Sequence, residues 1–121
     1  MKDFLIIAKA VADENRARIL MFLREGELCV CQVIEMLRLA PSTVSKHLDI
    51  LSRAGLIEPR RDGRWMYYRL TTHGASPTVR ETIRWGQKCL DGTLSVLADA
   101  KRLKSVRKMD VKRLCNRYHA R

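Results

Sequence analysis

Aromatic residues are scarce in this chain, and long apolar segments are absent from it. Phe, Trp and Tyr make up 6% of the 121 residues, so aliphatic side chains must form most of the core. No apolar run in the sequence approaches the roughly 18 residues that a membrane-spanning helix requires. The first seven residues include Asp3 and contain neither the apolar stretch nor the cleavage site of a secretory signal. We therefore expect a cytoplasmic protein with no membrane partner.

The residue combinations that catalysis requires are also missing. The sequence contains no nucleophile–base pair, no glycine-rich phosphate loop and no pair of acids at useful spacing. A chain of 121 residues with 46% hydrophobic residues is nevertheless sufficient for one folded domain with a modest core. These observations exclude a disordered chain and indicate that the protein is not an enzyme.

Acidic residues are few, and the resulting positive charge is unevenly distributed. Residues 101–121 carry nine Lys or Arg and one Asp, a charge of +8, so residues 1–100 contribute the remaining +3 of the net +11. We therefore divide the chain into a domain over residues 1–100 and a basic C-terminal extension over residues 101–121. Basic patches are typical of nucleic-acid-binding proteins, although such a tail can also be merely solvated.

Apolar periodicity predicts four helices in the first half of the chain. The first covers residues 3–12, the second runs from a cap at residues 13–15 to Gly26, and the third covers residues 28–37. After a turn at residues 38–40, Pro41 and Ser42 begin a fourth helix that ends at Gly55. The predicted inner stripe of this fourth helix is Val44, Leu48 and Leu51.

The pattern then changes to the alternation of a β-hairpin. Residues 56–61 and 64–70 flank a two-residue turn, Asp62-Gly63, and Pro59 confines the first strand to a sheet edge. Helical periodicity returns over residues 78–100, and residues 101–121 are either helical or ordered only on binding. This order predicts a mainly α fold with a β-hairpin, a winged helix-turn-helix. Surplus apolar surface on the first and last helices predicts a homodimer through the N- and C-terminal helices.

Two neighbouring elements have the composition of a DNA-reading surface. A helix in the major groove of double-stranded operator DNA presents short polar side chains near its N-terminus, and a charged hairpin tip suits phosphates or the minor groove. The candidates are Ser42, Thr43, Ser45, Lys46 and His47 on the helix and Arg60, Arg61 and Arg64 on the hairpin. For His47, contact with phosphate and a packing or capping role are both open, and a solvated polar face is the simpler alternative for the set.

The four cysteines include a closely spaced pair, Cys29 and Cys31, about a dozen residues before the predicted recognition helix. In a reducing compartment such thiols favour a soft ion or redox sensing over a structural disulfide. Residues i and i+2 of an α-helix point about 200° apart, so the pair cannot grip one ion if its segment is fully helical. Either the segment begins as a loop, or binding unwinds its first turn and thereby tilts the recognition helix. A helix N-terminus would also favour thiolates there.

The sequence resembles the ArsR/SmtB family of metal-sensing repressors over roughly residues 5–100. The likeness is carried by four segments, residues 27–31 (Glu-Leu-Cys-Val-Cys), 42–51, 54–57 and 62–70. The first of these is similar to the arsenic- and antimony-responsive branch, and to the cadmium- and lead-responsive branch. The resemblance implies a homodimeric repressor that binds its operator without ligand and leaves it when the ion binds, with arsenite or antimonite as the inducer and no catalytic cofactor.

Two departures from the family pattern leave the third sulfur ligand open. The best-known arsenic sensors carry a cysteine three positions after the second one, where this chain has Ile34, and no cysteine precedes Cys29. Zinc sensing through paired Asp and His residues of a C-terminal helix is disfavoured, because only three histidines are present. Trivalent arsenic prefers three thiolates, so the third is Cys115, Cys89 or an external thiol such as glutathione, and we favour Cys115. A two-coordinate site formed by Cys29 and Cys31 alone is also open.

Two alternatives to ion sensing are open, of which the first keeps the fold and changes the input. One is a thiol-based, redox-responsive repressor, in which oxidation of the cysteines replaces ion binding. The other is a ligand-independent DNA-binding protein that relies on the basic tail.

Overall fold

The computed structural model describes residues 1–119, which form seven α-helices, a short 3₁₀ turn and a three-stranded antiparallel sheet. The helices are α1 (Lys2–Val11), α2 (Glu14–Phe22), α3 (Val30–Leu37), α4 (Pro41–Arg53), α5 (Pro77–Leu90), α6 (Leu94–Lys108) and α7 (Val111–His119), and the 3₁₀ turn is Leu23–Glu25. The strands are β1 (Leu28–Cys29), β2 (Ile57–Asp62) and β3 (Trp65–Leu70), in the order β1-β3-β2. The predicted winged helix-turn-helix is confirmed: α3 and α4 are the paired helices, and β2 and β3 are the wing. Within the described residues, every helix is too short or too polar to span a membrane.

The turn between α3 and α4 is bounded by Arg38 and Pro41. Arg38 ends α3 in the left-handed conformation (φ 55°), its N–H donates to the carbonyl of Ile34, and Pro41 opens α4 where its missing N–H costs nothing. The predicted stripe of Val44, Leu48 and Leu51 is confirmed, since all three are fully buried. Their burial fixes which face of α4 points to solvent.

The third helix begins two residues later than the sequence pattern predicts. Leu28 and Cys29 are extended and pair with Tyr68 and Tyr67 of β3, so α3 starts at Val30. An unpaired backbone edge of β3 satisfies the hydrogen bonds of this segment better than an isolated first helical turn would. The apolar spacing of residues 28–37 could not distinguish the two, because a two-residue strand has no period of its own.

The tip of the wing differs from the prediction by one residue. Asp62 pairs with Trp65, so the two-residue loop is Gly63 and Arg64 and not Asp62-Gly63. Gly63 has φ +63° and is the first central residue of the turn, a position at which a hairpin turn of type II′ requires glycine. Pro59 lies on β2, the outer strand, as predicted.

The single helix predicted over residues 78–100 is wrong, because the chain forms two helices there. Asp91 is extended and Gly92 has φ +84°, which interrupts the helix between α5 and α6. The boundary at residue 100 remains a prediction and falls inside α6, whose Leu103 and Val106 are buried in the main core. Of the basic extension 101–121, residues 101–119 are helical over most of their length, and residues 120 and 121 lie outside the described residues.

The two faces of the sheet contact different parts of the molecule. Leu28, Ile57, Tyr68 and Leu70 belong to the main core between the sheet and the helices. Cys29, Trp65 and Tyr67 alternate with them and lie on the opposite face, where α7 covers them. The C-terminal helix is therefore packed on the outside of the wing.

Candidate functional site

An amphipathic C-terminal helix closes the candidate site. The residues of α7 that face the sheet have helical spacing and are Val111, Leu114, Cys115 and Tyr118. They form a second, small apolar cluster with Cys29, Cys31, Trp65 and Tyr67. A cluster at this place was not predicted from the sequence, although the spacing of these four residues was its visible signal.

Three cysteine thiols converge inside this cluster. The Sγ atoms of Cys29, Cys31 and Cys115 all lie within 4.8 Å of one another, and the sulfurs of Cys29 and Cys115 are 3.4 Å apart. Each of the three residues is 0% exposed. Among the side chains that the structure describes, this is the only group of three or more Cys, His, Asp or Glu residues that is arranged to share an ion. Cys89 lies elsewhere, exposed on α5.

The backbone at the start of α3 explains how residues i and i+2 can meet. Cys29 is the extended residue before the helix (φ −73°, ψ 149°), and Cys31 lies in the first turn. The side-chain carbonyl of Gln32 accepts a hydrogen bond of 2.8 Å from the Cys29 N–H, which holds this geometry from inside the protein. Of the two arrangements that the sequence left open, the structure has the non-helical start, and no unwinding is needed.

Burial and mutual contact favour the protonated form of two of these thiols, Cys31 and Cys115. Hydrogen bonding to the Cys29 sulfur, followed by burial and contact with Cys115, raises the pKa of Cys31 far above its ordinary value of 9.0. Burial is also the main cause that raises the pKa of Cys115 to about 11. The pKa of Cys31 is thus raised by its hydrogen bond with Cys29 and by burial, although the residue lies in the first turn of α3, where the helix dipole favours a thiolate.

Hydrogen bonds from Arg117 and Tyr118 to Glu35, here called the Glu35 clasp, join α7 to α3. One carboxylate oxygen of Glu35 accepts from Arg117 (3.1 Å) and the other from the hydroxyl of Tyr118 (2.9 Å). The backbone carbonyl of Glu35 also accepts from Arg102 of α6 at 2.7 Å. The side chain of Glu35 is only 15% exposed, whereas that of Arg117 is 63% exposed, so the bond from Tyr118 is the more sheltered of the two. Sequence reasoning missed Glu35, because it lies more than 80 residues from its partners on α7 and no local pattern marks the pairing.

The predicted recognition helix presents its polar side chains to solvent. Ser42, Thr43, Ser45 and Lys46 are all exposed near the N-terminus of α4. His47 is half-buried, and its Nδ1 lies 3.1 Å from Nη1 of Arg16. Because a guanidinium only donates, Nδ1 of His47 is the acceptor in this contact.

The wing arginines differ in their surroundings. Arg60 donates two hydrogen bonds to the carboxylate of Glu27 (2.7 and 3.0 Å) and lies 4.7 Å from the ring centre of Tyr67. This hydrogen-bonded guanidinium lowers the pKa of Glu27. Arg61 and Arg64 are exposed at the tip, and neither has an ion pair with any residue that the structure describes. Arg60 is thus oriented by the protein, whereas Arg61 and Arg64 are available to a ligand.

Two helices at one side of the molecule leave large apolar side chains in water. Phe4 of α1 is 65% exposed and Trp85 of α5 is 61% exposed. Leu20, Ile83 and Leu90 line an apolar groove between α2 and α5 that continues to Trp85. Patches of this kind mark interaction surfaces in soluble proteins.

Comparison with known proteins places residues 13–58 in the family described as "Bacterial regulatory protein, arsR family". The chain is 48% identical over 66 residues to the arsenic resistance transcriptional regulator ArsR1 of Pseudomonas putida, a match that covers 54% of this chain and 52% of that protein. It is 42% identical over 66 residues to the arsenical resistance operon repressor of Escherichia coli K12, covering 54% of this chain and 56% of that protein. The chain therefore spans about half the length of these curated relatives.

Solved structures agree with the fold over a larger part of the chain. HlyU from Vibrio cholerae N16961 superposes with a TM-score of 0.62 at 31% identity, covering 73% of this chain and 91% of that one. The homodimeric winged helix-turn-helix DNA-binding domain of Mb0332 from Mycobacterium bovis superposes with a TM-score of 0.61 at 27% identity, covering 84% and 82%.

Proposed function

The chain belongs to the ArsR family of bacterial regulatory proteins, and from this premise we propose that it is a repressor that releases operator DNA when trivalent arsenic or antimony binds its cysteines. The observation that carries the proposal is the convergence of Cys29, Cys31 and Cys115 within 4.8 Å in a buried cluster. The names of two relatives, which refer to arsenic and arsenical resistance, support the choice of inducer. Cys89 has no part in the site.

The donor set fits a trivalent metalloid. For comparison, tetrahedral zinc with bonds of about 2.3 Å holds two sulfurs about 3.8 Å apart, so thiols that lie within 4.8 Å of one another need only small shifts to share one ion. Arsenite is present in neutral water as arsenous acid, As(OH)₃. Three As–S bonds replace three As–O bonds, and each thiol proton leaves with a hydroxyl group as water, so the exchange needs no oxidant and no charge change. Protonated thiols are therefore suitable reactants.

The same protonation disfavours divalent cadmium and lead. A divalent cation requires thiolates, so each sulfur it binds must release a proton to solvent. Burial and sulfur–sulfur contact, which raise the pKa values of Cys31 and Cys115, make that release costly at neutral pH. The raised pKa values of Cys31 and Cys115 therefore favour arsenite or antimonite over cadmium in this proposal.

DNA recognition is assigned to α4 and the wing of a homodimer. Ser42, Thr43, Ser45 and Lys46 are proposed to read base edges, with His47 beside them. Arg61 and Arg64 are proposed to contact phosphates or the minor groove, and Arg60 to support the wing through Glu27 and Tyr67. The exposed apolar side chains of α1 and α5, Phe4 and Trp85 among them, are proposed as the dimer surface.

The effect of ion binding is transmitted to the DNA-binding surface by the elements that hold the thiols. Cys29 is paired with Tyr67 of the wing, and Cys31 lies in α3, which packs against α4. Drawing the sulfurs onto one atom shifts β1, the start of α3 and α7 relative to one another. The wing and the recognition helix can then no longer match the groove together. A coupling of about 1–3 kcal/mol corresponds to a loss of DNA affinity of roughly 5–150-fold.

Operator binding in the presence of arsenite tests the proposal. A labelled fragment of the chain's own promoter is titrated with the protein, with and without arsenite, under reducing conditions. Arsenite is expected to weaken binding by the unaltered protein and by Cys89→Ser, and to leave binding by Cys115→Ser and by Cys29→Ser/Cys31→Ser unchanged. Release of the double variant by arsenite would contradict the proposal, and an intact protein that ignores arsenite would favour the ligand-independent alternative.

A redox-responsive repressor is the second candidate, because the sulfurs of Cys29 and Cys115 are 3.4 Å apart. Oxidation by a peroxide would join them in a disulfide, with both thiol protons leaving as water. Complete burial and the raised pKa of Cys115 disfavour this route, since the thiolate is the form that reacts with peroxide. Release of the promoter by peroxide but not by arsenite would favour the redox function.

A further inference from the structure

We propose that α7 is a third DNA-contacting element, in which Lys112 and Arg113 bind the phosphate backbone beside the wing. The inference rests on the proposed DNA-binding function and extends it to a helix that lies outside the helix-turn-helix and the hairpin. The residues concerned follow directly after Val111, the first residue of α7.

Packing against the cluster that includes Trp65 places α7 beside the wing. The inner face of α7 is held on the outer face of the sheet by contacts of Leu114 and Cys115 with the cluster that includes Trp65. Trp65 follows the tip residue Arg64 directly in the chain. Lys112 and Arg113 lie on the opposite, exposed face of α7. Docked in this way, α7 carries its cations along the flank of the element that is proposed to approach DNA.

The exposed face of α7 carries positive charge that the described residues do not compensate. Within the described residues, Lys112 and Arg113 have no ion-pair partner, whereas Arg117 of the same helix is neutralised by Glu35. The one acid at the start of the helix, Asp110, accepts a hydrogen bond of 3.0 Å from the backbone N–H of Lys112 and so acts as a cap. Asn116, one turn further along the exposed face, adds an amide of the kind that also binds phosphate oxygens.

The cations of α7 are held on an ordered helix. A disordered basic tail must lose conformational entropy when it binds, which reduces the net gain from each phosphate contact. Here the cations are on a helix that is already fixed by a buried apolar face and by the bonds from Tyr118 and Arg117 to Glu35. Preorganised cations of this kind contribute more fully to binding.

The placement has a direct consequence for regulation. Cys115 lies on the inner face of α7, only two residues after Arg113 on the outer face. A ligand that moves the Cys115 sulfur therefore moves a DNA-contacting helix without an intervening element.

Salt dependence of DNA binding tests the proposal. Each phosphate contact contributes about 0.9 to the slope of log affinity against log salt concentration. In Lys112→Gln/Arg113→Gln we expect this slope to become shallower by about 2 if one α7 touches DNA and by about 4 if both helices of a dimer do. The matched control is Lys101→Gln/Lys104→Gln, which removes the same charge from the exposed face of α6 and is expected to retain the original slope.

The experiment distinguishes failure of the α7 proposal from failure of the proposed function. Equal slopes for the two double variants would overturn the role of α7 while leaving DNA binding by the wing and α4 intact. An unaltered protein that fails to bind any double-stranded DNA would overturn the proposed function itself. Glutamine is a good helix former at exposed positions, so both variants should fold, and circular dichroism together with unchanged arsenite binding verifies this. The single variants Lys112→Gln and Arg113→Gln then divide the effect between the two side chains.

Discussion

The sulfur of Cys29 lies 3.4 Å from the sulfur of Cys115, although 86 positions separate the two residues in the chain. Cys29 ends the short strand that extends the wing, and Cys115 is on the C-terminal helix that covers it. Cys31 completes the group from the first turn of α3. A ligand shared by these sulfurs therefore joins three elements, and each of them is next to a surface that we assign to DNA.

The Glu35 clasp should determine how firmly α7 is held. Replacing Glu35 by Ala removes bonds to Arg117 and Tyr118 and leaves the Tyr118 hydroxyl without its acceptor, so we expect α7 to be destabilised by about 1–3 kcal/mol. Hydrogen exchange at the backbone amides of Leu114 and Cys115 measures this directly.

The control for this substitution is Glu58→Ala, which breaks an exposed ion pair with Arg69 and should cost under about 1 kcal/mol. Unchanged protection of the α7 amides in Glu35→Ala would show that the apolar face alone holds the helix.

The wing arginines should separate into two classes. Arg61→Ala and Arg64→Ala are expected to weaken operator binding and to reduce its salt slope by about 1 for each phosphate that the variant no longer binds, with no effect on thermal unfolding. Arg60→Ala is expected to lower thermal stability slightly, because Arg60 is bound to Glu27 and lies over Tyr67. An Arg60 variant with the full reduction in salt slope and unaltered stability would contradict this division.

Stability should fall at alkaline pH for a reason located in the thiol cluster. Burial raises the pKa of Cys115 from 9.0 to about 11, so between these values the thiol is ionised in the unfolded chain and still protonated in the folded one. The unfolded state then binds fewer protons, and the free energy of unfolding decreases as pH rises. This stabilisation is complete below pH 9 and disappears as pH approaches 11. Urea unfolding of the reduced protein at several pH values should show a smaller alkaline decrease in Cys115→Ser than in the unaltered chain.

Proton release should distinguish a metalloid from a divalent cation. Arsenous acid carries away the thiol protons as water, so its affinity should change little between pH 6 and pH 8. Cadmium must displace up to three protons, and its affinity should rise by up to about 1,000-fold per pH unit. Competition binding against a chromophoric chelator for cadmium, and against a dithiol for arsenite, gives both profiles. Parallel profiles for the two ligands would contradict the assignment of protonated thiols.

Much of the fold could be predicted from residue spacing, because its elements are long enough to show a period. Examples are the inner stripe of α4, the edge position of Pro59 and the cap that Asp13 forms for α2. The Asp13 carboxylate accepts hydrogen bonds from the backbone N–H groups of Asn15 and Arg16. The errors are at places where the period is too short or the partner is distant. The strand at Leu28 and Cys29 depends on pairing with β3, and the break at Gly92 depends on a single left-handed residue.

The candidate site was also only partly predictable from the sequence. The closeness of Cys29 and Cys31 is visible in the sequence, but their ability to meet depends on the extended conformation of Cys29, which tertiary pairing imposes. Sequence reasoning favoured Cys115 over Cys89 without a geometric ground. The structure puts Cys115 in the cluster and leaves Cys89 exposed on α5, and whether all three sulfurs bind arsenic remains a prediction.

Arsenic-edge X-ray absorption of the arsenite-loaded protein counts the sulfur atoms bound to arsenic and so measures the proposed site itself. We expect three sulfurs in the unaltered protein and in Cys89→Ser, and two sulfurs with an oxygen in Cys115→Ser, all in glutathione-free buffer. Three sulfurs in Cys115→Ser, or two in the unaltered protein, would contradict the claim that Cys29, Cys31 and Cys115 form one arsenic site.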